Sequence, residues 1–356
     1  MKKNNYEFKI ISLAAFITLA SLFIGCNSQY TTNSGNSLKQ TKEDLINGVS
    51  RAVCYSGFRE GQHPDRGDGA VNPSYEETLE DLKILSRDSY FKLIRLYDSG
   101  ENSQMVIRVI DENDLDIKVL LGIWLKAEVS NHENCWWLPG PIPDEVLEEN
   151  KAMNLKEIEN GIKLANKYPE IITAVAVGNE ALVEWNDHMV EVDTMITYVK
   201  KVQAEIWQPV TVADNFNWWV HDGLELSKVV DFVSVHTYPL WEGQDIDTAM
   251  AYSTGNIQAV HDSLPGARIV ITEAGWATIA SEFGDRASEE KQEIYYNQMM
   301  DWAEEMNYTL FFFEAFDEPW KGDPSNPLGA EKHWGLFNVD RTPKKVMQKI
   351  YPDLMK

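Results

Sequence analysis

The stretches "IITAVAVGNE" (171–180) and "RIVITEAGW" (268–276) decide how the chain reads. Each is a nearly unbroken apolar run rich in β-branched residues, and each ends in a polar cluster holding a glutamate, Glu180 or Glu273. Unbroken runs suit strands buried on both faces, as in parallel sheets, rather than half-exposed strands, which alternate. Six more runs occur, at 51–58, 91–98, 116–124, 209–215, 231–239 and 308–316, with helical patterns between them. Strands alternating with helices eight times over predict a (β/α)8 TIM barrel. The competing doubly wound sheet wants a GxGxxG turn after its first strand, and "YSGFREGQ" (55–62) does not supply one. A barrel carries its site at the C-terminal ends of its strands. Glu180 ends the fourth and Glu273 the seventh, so both face one mouth. A carboxylate at the end of a core strand is costly to desolvate, which makes the pair a candidate catalytic site.

The helical patterns are clear. "SYEETLEDLKILSRDS" (74–89) sets Leu79, Leu82 and Leu85 on one face, with Ser74 and Glu77 spaced as a capping box. Stretches 143–168 and 285–306 read the same way. The N-terminus differs. Lys2 and Lys3 precede an apolar stretch of about residues 10–25 that is short for a membrane span. It stops at "LFIGC" (22–26), which resembles a lipobox, although Phe23 replaces the usual Leu. The expected organisation is a lipoprotein signal peptide over 1–26 with lipid on Cys26, a Ser/Thr/Asn-rich tether over 27–42, and one catalytic domain over 43–356. A plain secretory signal is the alternative. Export to an outer membrane, cell surface or periplasm follows from the lipobox. Cys54 and Cys135 are then expected as two free buried thiols, a bridge between them being the alternative in an oxidising compartment.

The formal net charge is −24 and the isoelectric point about 4.6. That excludes nucleic acid and an anionic lipid surface as main partners and suits a neutral substrate. Seven histidines include no HExxH and no close His/Cys cluster, so no metal and no other cofactor is expected. Of twelve tryptophans, Trp207 and Trp302 read as helical. The other ten, at 124, 136, 137, 185, 218, 219, 241, 276, 320 and 334, read as lying at or just after strand ends. Flat rings around a polar cleft suit the C–H faces of sugars, with indole N–H groups left to bond hydroxyls. Two carboxylates flanking a glycosidic bond are the minimum equipment for its hydrolysis.

Several segments together carry a resemblance. "VAVGNEAL" (175–182) and "IVITEAGWAT" (269–278), with "CYSGFREGQHP", "IRLYD", "VSVHTYP", "FFFEAFDEPWK" and "EKHWGLF" in order, resemble glycoside hydrolase family 17, the β-1,3-glucanases. Ala274 and Ala277 depart from the family's usual Ser/Thr and Pro beside the nucleophile. The resemblance implies a barrel that cleaves laminarin-like β-1,3-glucan with retention, Glu180 as acid/base and Glu273 as nucleophile. It further implies that Asn179 bonds the sugar 2-hydroxyl, that Tyr238 donates to Glu273, and that Arg95 adds positive charge beside the nucleophile. Tyr97 lines the cleft, Glu314, Glu318 and Lys321 form a supporting cluster, and Trp276 and Trp320 stack on sugar. Bland readings stand beside these: Asn179 as a turn cap, Arg95 paired with Glu180 or Asp98, Tyr97 as packing, Glu318 as a solvated loop acid. His236 shares a strand face with Tyr238 and is either a carboxylate partner or a core histidine. Asp214 ends strand five, and cleft-lining is one of its two readings. A monomer is expected. The same chemistry permits glucanosyl transfer, and a non-catalytic glucan-binding lipoprotein is the remaining alternative.

Overall fold

A computed structural model describes residues 48–49, 51–65 and 67–355. Cys26, the signal segment 1–26 and the tether 27–42 lie outside the described residues.

The eight expected runs form eight strands: β1 Ala52–Cys54, β2 Leu93–Arg95, β3 Lys118–Ile123, β4 Ile172–Asn179, β5 Val210–Asn215, β6 Val233–Thr237, β7 Ile269–Gly275 and β8 Leu310–Phe313. They pair in sequence order, all parallel, and β8 closes on β1. Six of the eight are buried end to end, and β3 and β4 are each half-buried at a single end residue, as apolar runs flanked by helices require. Helices follow the strands: α1 Tyr75–Ser86, α2 Glu101–Glu112, α3 Asp144–Lys167, α4 Val192–Glu205, α5 Phe216–His221, α6 Leu224–Ser227, α7 Ile246–Ser263 and α8 Glu289–Met306. The Ser74–Glu77 capping box that starts α1 is complete in both directions. Among the described residues no helix is long and apolar enough to cross a membrane.

Irregularities concentrate where the strands open onto the mouth. The β4–β5 register slips between Ala176 and Asn179, the β6–β7 register between Val235 and His236, and the β7–β8 register between Ile271 and Ala274. A bulge re-aims the side chains beyond it. Here those side chains are Asn179, His236 and Glu273. The turn that follows β4 is strained as well. Gly178 takes φ +78° and Glu180 takes φ +46°, a left-handed conformation uncommon for a residue with a Cβ.

Three sequence-based expectations fail at this level. Trp207 lies just past the end of α4 and is exposed, not helical. Trp218 and Trp219 lie just after β5, as expected, but inside α5 and buried, so they offer no face to a sugar; the Trp219 indole donates to the Ser234 carbonyl at 2.8 Å. Trp276 is 0% exposed, so its ring offers no face to a sugar. It packs against Tyr295 under α8 and donates to the Arg286 carbonyl. Cys54 and Cys135 are buried free thiols, as expected.

Candidate active site

Glu180 and Glu273 meet at the mouth. One carboxylate oxygen of each and a His236 ring nitrogen all lie within 4.8 Å of one another. His236 and Glu273 are register partners across β6 and β7. The Arg95 guanidinium, from the end of β2, reaches Glu273 Oε1 at 2.5 Å, Asn179 Oδ1 at 2.5 Å and His236 Nε2 at 3.2 Å. Arginine can only donate, so Nε2 accepts and Nδ1 carries the ring proton. Nδ1 then donates to Glu180 Oε1 at 2.9 Å and lies 3.5 Å from Glu273 Oε2. The histidine is therefore a carboxylate partner and not a bystander in the core. Three such oxygen and nitrogen ligands could in principle grip a cation. Both imidazole nitrogens are already committed, however, and Arg95 occupies the charge position beside Glu273.

The two acids sit in different surroundings. The Glu273 side chain is 6% exposed and that of Glu180 is 26% exposed. Burial on its own would raise the Glu273 pKa. The proton-bearing edge of His236, the Arg95 charge and hydrogen bonds from Tyr238 and Tyr97 outweigh it and hold the carboxyl below the usual range. Tyr97 donates to Oε1 at 3.0 Å, and Tyr238 makes a short bond to Oε2. Burial first, and then the negative charges around them, push both phenols well above their ordinary range, so they remain donors. Tyr97 therefore does more than pack. Arg95 pairs with Glu273, not with Glu180 or Asp98.

A second cluster closes the β8 side. Lys321 Nζ lies 2.8 Å from Glu314 and 2.5 Å from Glu318. Glu318 is buried rather than solvated. It takes hydrogen bonds from the Ser56 hydroxyl and, at 3.0 Å, from the Trp320 indole. Burial pushes the Glu314 carboxyl well above the usual range and the neighbouring Glu318 charge adds to this, while Lys321 works against both. Burial opposes ionisation of Glu318 too, yet Lys321 and its hydrogen bonds leave that carboxyl below the usual range. Trp320 is half-buried, edge-on to Phe58. Asp214 is fully buried and does not line the cleft. It accepts from the Leu182 amide at 3.0 Å and so braces the turn that carries Glu180, and burial followed by the Glu180 charge pushes its carboxyl well up.

Sequence reasoning missed Ser56, His188 and Glu331 and singled out Trp241 only as one of ten rings at strand ends. Ser56 lies two residues beyond β1, a position where barrel-site residues are common. His188 bonds the Asn179 carbonyl through Nε2 at 2.8 Å and Asp187 through Nδ1 at 2.8 Å. Trp241 is exposed edge-on to Phe283, and burial raises the Glu331 carboxyl despite nearby Lys321.

Residues 52–335 match the family described as BtgE/BtgC glycoside hydrolase domain. A glucan 1,3-beta-glucosidase of Arthroderma benhamiae is 26% identical over 328 residues, 85% of this chain and 95% of that protein. A probable glucan endo-1,3-beta-glucosidase of Aspergillus clavatus is 26% identical over 296 residues, and there the match spans only 39% of the longer protein. Among solved structures, an endo-laminarinase from Formosa superposes with a TM-score of 0.72 at 28% identity, over 88% of this chain and 90% of that one. Two acids, one just past β4 and one on β7 of a closed barrel, with a family match across nearly all of it, leave one assignment: the chain belongs to the BtgE/BtgC glycoside hydrolase domain family, and the family-17 likeness read from its motifs holds.

Proposed function

We propose that this glycoside hydrolase cleaves β-1,3-glucan of the laminarin type by double displacement, with Glu180 as acid/base and Glu273 as nucleophile. One observation carries the reading. The two carboxylates approach within 4.8 Å, close to the spacing of about 5–5.5 Å that retaining enzymes use and too tight for the intervening water of an inverting one. The names of the relatives supply the linkage.

In the first step Glu180 gives its proton to the glycosidic oxygen as a Glu273 oxygen attacks the anomeric carbon. The C–O bond breaks and the leaving sugar departs as an alcohol. In the second step water attacks the same carbon, its proton returns to Glu180, and the ester to Glu273 is cleaved. Asn179 Oδ1 is taken up by Arg95, which turns the amide nitrogen toward the cleft as a donor to the sugar 2-hydroxyl. That contact tightens as positive charge develops on the ring. Trp320 and the exposed Trp124 and Trp241 are the stacking surfaces near the mouth. Residues 1–42 belong to the same proposal. Lipid on Cys26 and a tether over 27–42 hold a monomeric domain at the outer membrane or cell surface, and Cys26→Ser releases it in soluble form if this is right.

The test is a panel of laminarin, yeast glucan, lichenan and curdlan combined with azide rescue. Glu180→Ala leaves room for azide opposite the glycosyl-enzyme and gives a β-glycosyl azide. Glu273→Ala admits azide on the nucleophile's side and gives the α-anomer. Rescue with the anomers exchanged overturns the roles, and no activity on laminarin or curdlan overturns the substrate. Products longer than the substrate reveal glucanosyl transfer from the same intermediate, and glucan binding without any cleavage reveals a dead barrel.

A further inference from the structure

We infer that the insert between β3 and α3 carries a stacking platform for a glucan chain beyond the cleavage point, built on Trp136 and Trp137 and continuous with the catalytic pair. The inference rests on the β-glucan reading above.

Trp136 is 85% exposed and Trp137 44% exposed, with the two rings packed edge to face at 5.3 Å. Indoles left in water on a loose loop would mean little. This loop is pinned. The buried Asn131 amide donates to the Glu184 carbonyl and, at 2.8 Å, to the Asn186 carbonyl. The Cys135 amide bonds the Asn131 carbonyl at 2.9 Å, its thiol is buried, and the Ile142 amide closes the loop on the Ser130 hydroxyl at 2.8 Å. The backbone is thus held in place while the adjacent rings are left out, forgoing the burial that usually places tryptophan inside.

The platform connects to the site stepwise. The Trp137 side chain bonds Asp187, whose carboxyl is held below its usual range chiefly by His188. His188 bonds the Asn179 carbonyl at 2.8 Å and stacks on Trp124 at 4.8 Å with rings 27° from parallel. Asn179 precedes the acid Glu180. Exposed rings therefore lead outward from the bond-breaking residues along one side of the mouth. Indole faces match the C–H faces of pyranose rings, and the Asp187 carboxylate accepts from hydroxyls. The occupant is a neutral β-linked glucan, since a chain of net charge −24 repels a polyanion.

The experiment compares kcat/KM on polymeric laminarin and on laminaritetraose for the wild type, for Trp136→Ala with Trp137→Ala, and for Phe at both positions. The alanine pair is expected to lower the polymer-to-tetraose ratio about tenfold, the scale of two lost ring contacts, and the phenylalanine pair to recover much of it. Equal losses on both substrates, or none on either, overturn the platform. So does a change in oligomeric state in light scattering, which would make the rings a protein interface. If the wild type prefers another β-glucan, the ratio is measured on chains of that glucan. The β-1,3 reading then fails alone, and the platform is judged on its own ratio.

Discussion

Replacing Tyr238 by Phe tests the electrostatics of Glu273, the proposed nucleophile, with the least disturbance. The ring packs edge-on against Phe313 and Trp334, and phenylalanine keeps those contacts. What disappears is the hydroxyl that donates to Glu273 Oε2. Oε1 still has Arg95 and Tyr97, whereas Oε2 keeps only the more distant His236 Nδ1 at 3.5 Å. A hydrogen bond to a buried charged group contributes about 1.5–3 kcal/mol, and about 1.4 kcal/mol is one pKa unit. Loss of the bond weakens the ionised form, so the Glu273 pKa rises by roughly 1–2 units from its depressed position. Attack requires the carboxylate. The acid limb of kcat/KM therefore moves to higher pH by that amount, and the alkaline limb serves as the internal control. Stability moves in parallel. A depressed carboxylate pKa contributes stability that is present above its unfolded value and lost as pH falls through the folded one. The variant is therefore destabilised relative to wild type at pH 7 and approaches it at low pH. Tyr97→Phe gives a smaller shift, because Arg95 shares its oxygen. An acid limb that stays in place in Tyr238→Phe refutes the account of how Glu273 is kept ionised.

Glu180→Gln and Glu273→Gln each lower the rate on β-1,3-glucan at least about 10³-fold, several kcal/mol of transition-state stabilisation, in a reducing-sugar assay. Lys321→Met strands Glu318 without its cation and costs about 3–5 kcal/mol in urea unfolding at pH 7. Part of that loss returns on acidification, because protonating Glu318 removes the unpaired charge. Asp214→Asn turns an acceptor of two amide bonds into a group with one acceptor. It loses about 1–3 kcal/mol and lowers kcat on the same glucan, since the turn it braces carries Glu180. Ser74→Ala removes the α1 capping box for about 1 kcal/mol and leaves kcat/KM unchanged.

The barrel was legible because buried parallel strands must be apolar along their whole length, and the runs at 171–180 and 268–276 could be little else. The acids were legible because each interrupts such a run at the end where barrel sites lie. Strand periodicity also paired His236 with Tyr238 correctly, and both reach Glu273. Trp276 shows where proximity to a strand end misleads. It stands three residues from Glu273, an odd interval, which on a continuing strand points it to the opposite face. That face is covered by α8, and the ring is buried there. The register slips were not legible at all. They arise from how neighbouring strands pair, and they decide that Asn179, His236 and Glu273 converge. Asp214 was ambiguous for a related reason: whether a strand-end acid faces solvent depends on the turn packed over it, here the one holding Leu182.

The charges around the mouth form a pattern that no single residue explains. Four buried acids surround it; Glu273 is paired with Arg95, and Glu318 with Lys321, which it shares with Glu314. Glu314, despite Lys321, and Asp214 are driven by burial toward the protonated form. Ionised together, these groups would repel strongly. Two ionised carboxylates within 4.8 Å of one another repel by at least about 3 kcal/mol at an effective dielectric near 20. The bonds from Arg95, Tyr97 and Tyr238 all fall on Glu273 rather than on Glu180. Glu180, the more open acid, stands on the strained turn after β4, where the proposed mechanism places the leaving oxygen. In the proposed mechanism Glu273 becomes an ester, its charge is gone and Arg95 loses its partner. The carboxylate left on Glu180 then lies beside His236, which Arg95 polarises through Nε2. Breaking this relay with His236→Ala should slow hydrolysis of the glycosyl-enzyme more than its formation, so the intermediate accumulates and a pre-steady-state burst appears. A variant in which both steps slow equally, with no burst, separates Arg95 from the second half of the reaction and confines it to holding Glu273.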